Sequence, residues 1–373
     1  MRTNRTIVIS LVVALGLAGC SSAPVAKPTP TVLSPSPTAT PEPIDVTVVP
    51  QNRFGLDCNA VVTPSDVTAI LGAETPLAVP DRFDGAWSAV LIQDRAMVCR
   101  WGAKNFIDGS SPSISVIAAP DGRAAFDSLV STFAGDPSPI EMSGVGDAAW
   151  ASCRASGPDP VYLDCSWTVA VADTWLVVRF LQLSPTEADI TPVGDYGQLA
   201  ATPRADSASA AVVARAAEAL RDAPAADVPP PGVISRGCDA LANWQLISDE
   251  FGLGAARLES YNGSGAPDLY SVTLSRMEDK AAADRGAVRC FVTLGDGADV
   301  RETYVNLEVV PDAGWLGSTT LWGGWDAESC HGWEGGPVCE LSGYANGRAA
   351  FAIIGGTLPA GMAARVFEAI VAP

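Results

Sequence analysis

Cys58-Asn-Ala-Val-Val-Thr63-Pro64-Ser65-Asp66-Val67-Thr-Ala-Ile70-Leu71-Gly72 is answered further along the chain by Cys238-Asp-Ala-Leu-Ala-Asn243-Trp-Gln-Leu246-Ile247-Ser-Asp-Glu-Phe251-Gly252. In each stretch a cysteine precedes a glycine by fourteen residues, and five residues after the cysteine stands a residue suited to cap a helix, Thr63 or Asn243. Thr63 to Asp66 supplies the cap, a proline at the first helical position and an acid in the first turn, and Gly72 supplies the stop. Apolar residues follow each cap at helical spacing: Val67, Ile70 and Leu71 in one stretch, Leu246, Ile247 and Phe251 in the other. Both halves are therefore expected to open with the same short capped helix.

The remaining cysteines fall in the same two groups, Cys58, Cys99, Cys153 and Cys165, then Cys238, Cys290, Cys330 and Cys339. Trp150 shortly before Cys153 corresponds to Trp325 before Cys330, and a loop containing Gly or Pro leads from each of those cysteines to its partner. Eight residues beyond the partners come the turn residues Asp173 and Gly347, and each half ends in an alanine-rich helical stretch, Ser207 to Arg221 and Ala360 to Val371. The reading is a duplication joined at Ala223 to Val233, where Pro224, Pro229, Pro230 and Pro231 break any helix. Chance likeness of two cysteine-rich domains is the competing reading. Four cysteines per half allow three pairings each. The preferred set is Cys58–Cys99 and Cys153–Cys165, repeated as Cys238–Cys290 and Cys330–Cys339. In it short loops become hairpin staples and long ones tie the opening helix to a central strand.

Between the helices the apolar pattern has period two. Strands are predicted at Trp87 to Ile92, Met97 to Trp101, Ser113 to Ala118, Val161 to Val169 and Trp175 to Leu181. The second half repeats them at Leu269 to Leu274, Val288 to Leu294, Thr303 to Val310, Val338 to Tyr344 and Ala349 to Ile354. An extra helix, Gly122 to Phe133, is expected in the first half only. Short joins favour antiparallel hairpins, so each half is predicted to be α+β, an antiparallel sheet with helices on one face. The boundaries are a signal at 1–19, a lipidated cysteine and tether at 20–53, repeat domains at 54–222 and 234–373, and a linker at 223–233.

The N-terminus places these halves. Arg2 and Arg5 precede an apolar run from Ile7 to Leu17, an export signal that closes on Leu17-Ala18-Gly19-Cys20. Those four residues resemble the bacterial lipobox, whose cysteine receives diacylglycerol and becomes residue one of the mature protein. An ordinary secretory cleavage nearby and an uncleaved anchor compete with it; the run is far below the roughly 20 residues that span a bilayer. Ser21 to Arg53 carries eight prolines among Ser and Thr and is expected to be an extended tether with a reach of at most about 100 Å. Its Thr-Pro and Ser-Pro pairs resemble the sites that actinobacterial lipoproteins O-mannosylate, an unmodified spacer being the alternative.

Loss of Arg2 and Arg5 from the 23 basic residues leaves 21 against 42 acidic ones, a net charge of −21. So acidic a chain does not neutralise phosphates, which excludes nucleic acid, and it needs lipid to stay on an anionic membrane. Arginine far outnumbers lysine (Lys27, Lys104 and Lys280 alone), and Ala and Gly abound, as in a high-GC genome. Lipobox, Ser/Thr/Pro tether and a domain opening with Cys, short helix and Leu-Gly or Phe-Gly, then the strand Val98-Cys99-Arg100-Trp101, resemble actinobacterial cell-envelope lipoproteins of unknown function. The likeness is weaker in the second half, where Phe291 follows Cys290. It implies a place on the extracytoplasmic face of the cell membrane and a fold, and carries over no catalytic residue.

Chemistry is sparse. The single histidine, His331, sits beside Cys330 in a Gly-rich loop; zinc held by Cys330, His331 and Cys339 would need thiols that export oxidises. Asp296, Asp299 and Glu302 lack the spacing of a calcium loop. No cofactor, metal site or catalytic set is read. The one concentrated signal is Trp315, Trp322, Trp325 and Trp333 among glycines and acids, which suits a sugar or cationic ligand or else fills a core. A non-enzymatic binding or adaptor module is expected, with an envelope glycan, a small ligand or an exported protein as partner. An envelope hydrolase using an Asp/Glu pair and a passive envelope component are the alternatives. Cys20→Ala should abolish labelled-palmitate incorporation and leave the precursor at its full mass by mass spectrometry.

Overall fold

Thr63 does what its position predicts. In the computed structural model its side chain accepts from the Asp66 N–H while the Asp66 carboxylate accepts from the Thr63 N–H, a reciprocal cap that starts a helix over Pro64–Leu71. The structure describes residues 49–72, 89–102, 112–133, 139–156, 162–193, 198–223, 237–259, 269–295, 303–317, 330–333, 336–345, 348–356 and 361–371. Within the first half these form helices α1 (Cys58–Val61), α2 (Pro64–Leu71) and α3 (Ala89–Gln93), strands β1 (Met97–Gly102) and β2 (Ser113–Ala119), and helix α4 (Arg123–Val130). There follow β3 (Ile140–Glu141), β4 (Ala148–Ser156), β5 (Tyr162–Val171), β6 (Thr174–Leu183), β7 (Ala188–Val193), β8 (Gln198–Pro203) and helix α5 (Ala208–Arg221). The sheet is antiparallel in the order β1-β2-β6-β5-β4-β8-β7, with β3 on β4.

The second half supplies α6 (Cys238–Leu241), α7 (Trp244–Glu250), β9 (Ala256–Glu259), α8 (Leu269–Arg285), β10 (Val288–Leu294) and β11 (Thr303–Pro311). It ends in β12 (Cys330–Trp333), β13 (Gly336–Ala345), β14 (Arg348–Gly355) and α9 (Met362–Val371). Its sheet, also antiparallel, runs β12-β13-β14-β11-β10-β9. The two registers agree residue for residue. Two positions after Cys99 the cross-strand row is Trp101, Ile114, Phe180, Cys165 and Cys153. Two positions after Cys290 it is Val292, Val305, Ile354, Cys339 and Cys330. After β2 and β11 the chain also turns alike, through Pro120-Asp121 and Pro311-Asp312, with both aspartates at positive φ (51° and 56°).

Helices cover both faces of the first sheet, which corrects the expectation of one. Cys99, Val116, Trp167 and Val178 point into a core beneath α1, α2 and α5. Ile117, Ala119, Trp175 and Val177 point the other way, into a core with α3, α4 and α8. Consecutive apolar residues such as Trp175 to Val178 mark a strand buried on both sides, a pattern different from one-sided alternation. The described residues all belong to one unit, Asp45–Pro373. Its middle core draws on both halves, joining Val90, Phe126 and Trp175 to Met277, Val310 and Trp315. A third core lies on the far side of the second sheet, under α6, α7 and α9.

Two expected strands are helices. Residues 89–92 of the stretch predicted as a strand belong to α3, and Leu269 to Leu274 open the 17-residue α8. A short apolar run cannot by itself separate a strand from a buried helix, and the alanines at 281–283 favour a helix. The expected Gly122 to Phe133 helix is α4 with a following 3₁₀ turn at Ser131–Phe133, and the second half has a 3₁₀ turn at Gly314–Gly317 in the same place.

Cys58–Cys99, Cys153–Cys165 and Cys238–Cys290 are bonded as the spacing suggested. The first and third tie the opening helices α1 and α6 to β1 and β10, each with Cα atoms 5.6 Å apart. Cys330 stands opposite Cys339 in the β12–β13 ladder, and their side chains lie outside the described residues. Replacing Cys58 and Cys99 together by Ala should cost about 4 kcal/mol in guanidinium unfolding, and replacing Cys153 and Cys165 about 3, because the former closes a loop of 41 residues and the latter one of 12.

Candidate functional site

Trp315 occupies the 3₁₀ turn after β11, and its ring is 2 % exposed in the core shared by the halves. Its indole N–H donates to Gln93 Oε1 at 2.9 Å, and Gln93 Nε2 in turn donates to the Asp312 carbonyl. That places Trp315 in the core, one of the two roles the sequence left open for it. Trp322, Trp325, Cys20, Asp296, Asp299 and Glu302 lie outside the described residues. Trp333 and His331 belong to β12, with side chains outside them too. Among the described residues no group of three His, Cys, Asp or Glu side chains could hold a metal ion.

An open groove of about 640 Å³ runs along the second half, lined by Asp239, Leu241 and Ala242 near α6, Asn243 to Gln245 at the start of α7, Ala256 to Leu258 of β9, and Ala369 of α9. Its wall is held rigidly. Trp244 is buried and donates its indole N–H to the Cys238 carbonyl at 2.8 Å. Gln245 bridges α7 to the approach of β9, donating to the Gly254 carbonyl at 3.0 Å and accepting from the Ala256 N–H at 3.0 Å. Asn243, picked out from the sequence as a cap, accepts from the Leu246 N–H at 3.0 Å. β9 is the edge strand of its sheet among the described residues, and Leu258 on it is 47 % exposed; Leu246 on α7 is likewise exposed. A half-paired strand beside a trough with apolar and polar walls is a surface that can accept an extended chain.

A second cluster, missed in the sequence, is interior. Asp94, just past α3, accepts from Arg285 Nε at 2.8 Å and Lys280 Nζ at 3.2 Å, both from α8. Burial pushes the Asp94 carboxyl up, against the opposing pull of Lys280 and Arg285. Asp94 and Arg285 hold corresponding places: each closes its helix three residues before the strand that carries Cys99 or Cys290. Close by, Arg289 on β10 donates to Glu278 at 2.7 Å and to Asp279 at 2.9 Å, and Glu308 on β11 accepts from the Val90 N–H at 3.1 Å. Glu278 and Glu308 are buried beneath α3 and α8 and line no part of the groove, whose one carboxylate is Asp239. An acid in the middle of an apolar strand, as in Leu307-Glu308-Val309, was the available sequence signal.

No family model, curated protein or solved structure matches the chain. Asp94→Ala should cost about 3 kcal/mol in chemical unfolding, since it removes the buried carboxylate that Arg285 and Lys280 share, and the double exchange Asp94→Arg with Arg285→Asp should recover at least half of that loss.

Proposed function

We propose that the chain is a lipid-anchored lipoprotein of the extracytoplasmic envelope, built from two duplicated α+β repeats fused through a common core, and that it works as a binding module for an extended segment of another exported protein. The single observation that carries the binding reading is the groove beside β9. There β9, the edge strand of its sheet among the described residues, offers its backbone, and Leu258 and the trough offer side-chain contacts. The duplication is supported by the matching registers around the cysteines and by the paired turns at Asp121 and Asp312. Export is supported by the lipobox-like Leu17 to Cys20 and by three disulfides, which persist in oxidising compartments. The acyl chains at Cys20 hold the module at the membrane, and the proline-rich tether lets it reach partners on the order of 100 Å away.

The burial of Trp315 shifts weight from a glycan toward a polypeptide partner. A photo-crosslinking residue placed at position 258 should give a protein adduct in intact cells, whereas the same residue at the exposed Tyr162 position of β5 should not. The adduct should disappear when Ala369→Arg, which places a bulky charged side chain in the groove, is added. Equal adducts from both positions, or none from position 258, would sink the groove as the binding surface.

A further inference from the structure

The densest charge inside the protein lies where α3 of the first half and α8 of the second are held against β11. Glu308 is the direct cross-strand partner of Arg289 in the β10–β11 ladder. Its Oε1 accepts the Val90 N–H, so a carboxyl from the second half caps a helix from the first. Each element around it contributes differently. From α8 come Glu278 and Asp279, both bonded to Arg289; from β10 comes Arg289 itself; from α3 comes a backbone N–H and no titratable side chain; and the register neighbour on β14 is Phe351. One guanidinium thus serves three carboxyls. Glu278 and Glu308 are 2 % and 3 % exposed, and Glu278 Oε1 and Glu308 Oε2 have no hydrogen-bond partner.

We propose that Glu308 and Glu278 form a proton-dependent latch, closed while the pair retains a proton and loosened as the medium turns alkaline, so that α3 is released from β11 and the seam between the halves opens. The physical reason is charge. With both acids ionised, Arg289 cannot neutralise the buried excess, and a carboxylate oxygen without a donor stays desolvated. Burial pushes Glu308 from its ordinary 4.5 up to about 8, opposed by Arg289 and by the Val90 N–H. Burial raises Glu278 as well, with Glu308 and Asp279 adding to the rise and Arg289 opposing it. Between pH 4.5 and about 8 the folded state therefore holds more protons than the unfolded chain, and the stability this confers is lost by the time pH has risen through about 8. Few other groups obscure this change, because the chain has one histidine.

The test is guanidinium unfolding of the purified full-length protein in detergent at pH 6 and pH 9, beside Glu308→Gln, whose amide oxygen still accepts from Val90. Between the two pH values the unfolding equilibrium constant should rise about 100-fold more in the unaltered protein than in E308Q, which keeps only the rise due to Glu278. Hydrogen exchange, read as the ratio of the two proteins at each pH, should show the extra opening in α3 peptides and not in α5 peptides. Equal rises in the two proteins, or no rise in either, overturn the latch. If E308Q does not accumulate, hydrogen exchange of the unaltered protein at pH 6 and pH 9 is read alone: after correction for intrinsic exchange, opening of α3 peptides should rise about 100-fold relative to α5 peptides, and equal changes in the two sets of peptides overturn the proposal.

Discussion

The contact on which the rest of the structure depends is the seating of α3 and α8 side by side between two sheets. Asp94 and Arg285 close these helices at corresponding points and bind each other. In a pair of identical halves, like would meet like at such a point, two acids or two guanidiniums, and a buried repulsion would push the halves apart. Opposite charges turn the same geometry into an attraction that only this arrangement satisfies. Buried ion pairs add little net stability over apolar packing, but a wrong pairing is costly, so they select one arrangement among many. The apolar part of the seam, from Val90 and Phe126 to Met277 and Trp315, supplies the bulk of the burial, and the ion pair fixes its register.

Much of this was legible because it depends on local chemistry. Thr63 with Asp66 and Asn243 with Leu246 form their caps through contacts three residues apart, so the residues alone announce them. The cysteines were legible because spacing limits which can meet, Met97 to Trp101 because its residues alternate, and Ser113 to Ala118 and Val288 to Leu294 because they are short apolar runs. The seam was not. Helix α3 is five residues buried among two sheets, so no polar stripe betrays its period. Helix α8 carries charge on faces that the other half covers, so its buried residues include Glu278 and Arg285 alongside Met277 and Ala281. Both features exist only once the second half is present, and no window of sequence contains it. The groove falls between these cases: Asn243 was visible as a cap, but its neighbourhood with Leu258 and Ala369 comes from the fold.

Trp315 shows how composition misleads when topology is unknown. A tryptophan among glycines and acids suits a ligand-facing loop and a tightly turned core segment equally well. The fold decides it, because Pro311 and Asp312 turn the chain back at the end of β11 and drop the indole onto Gln93 of the other half. The same turn after β2 leads into α4, whose Phe126 meets Trp175 edge-on at 6.2 Å in that core. Each half thus uses the segment after its second central strand to fill the seam, with different residues doing equivalent work.

The covalent and non-covalent restraints are also divided. Each described disulfide stays within one half, and two of them fasten a short opening helix to the sheet beside it. Helix α6, fastened to β10 by Cys238–Cys290, borders the groove in the second half, so that wall of the groove is covalently tied to its sheet. The seam, by contrast, is joined by packing, by Asp94 with its two cations and by the Glu308–Val90 bond, all of which respond to solvent conditions. A protein arranged in this way can change how its halves meet without disturbing the groove. The reverse arrangement, with a soft groove and a clamped seam, would couple every adjustment of the core to a change in the shape of the groove.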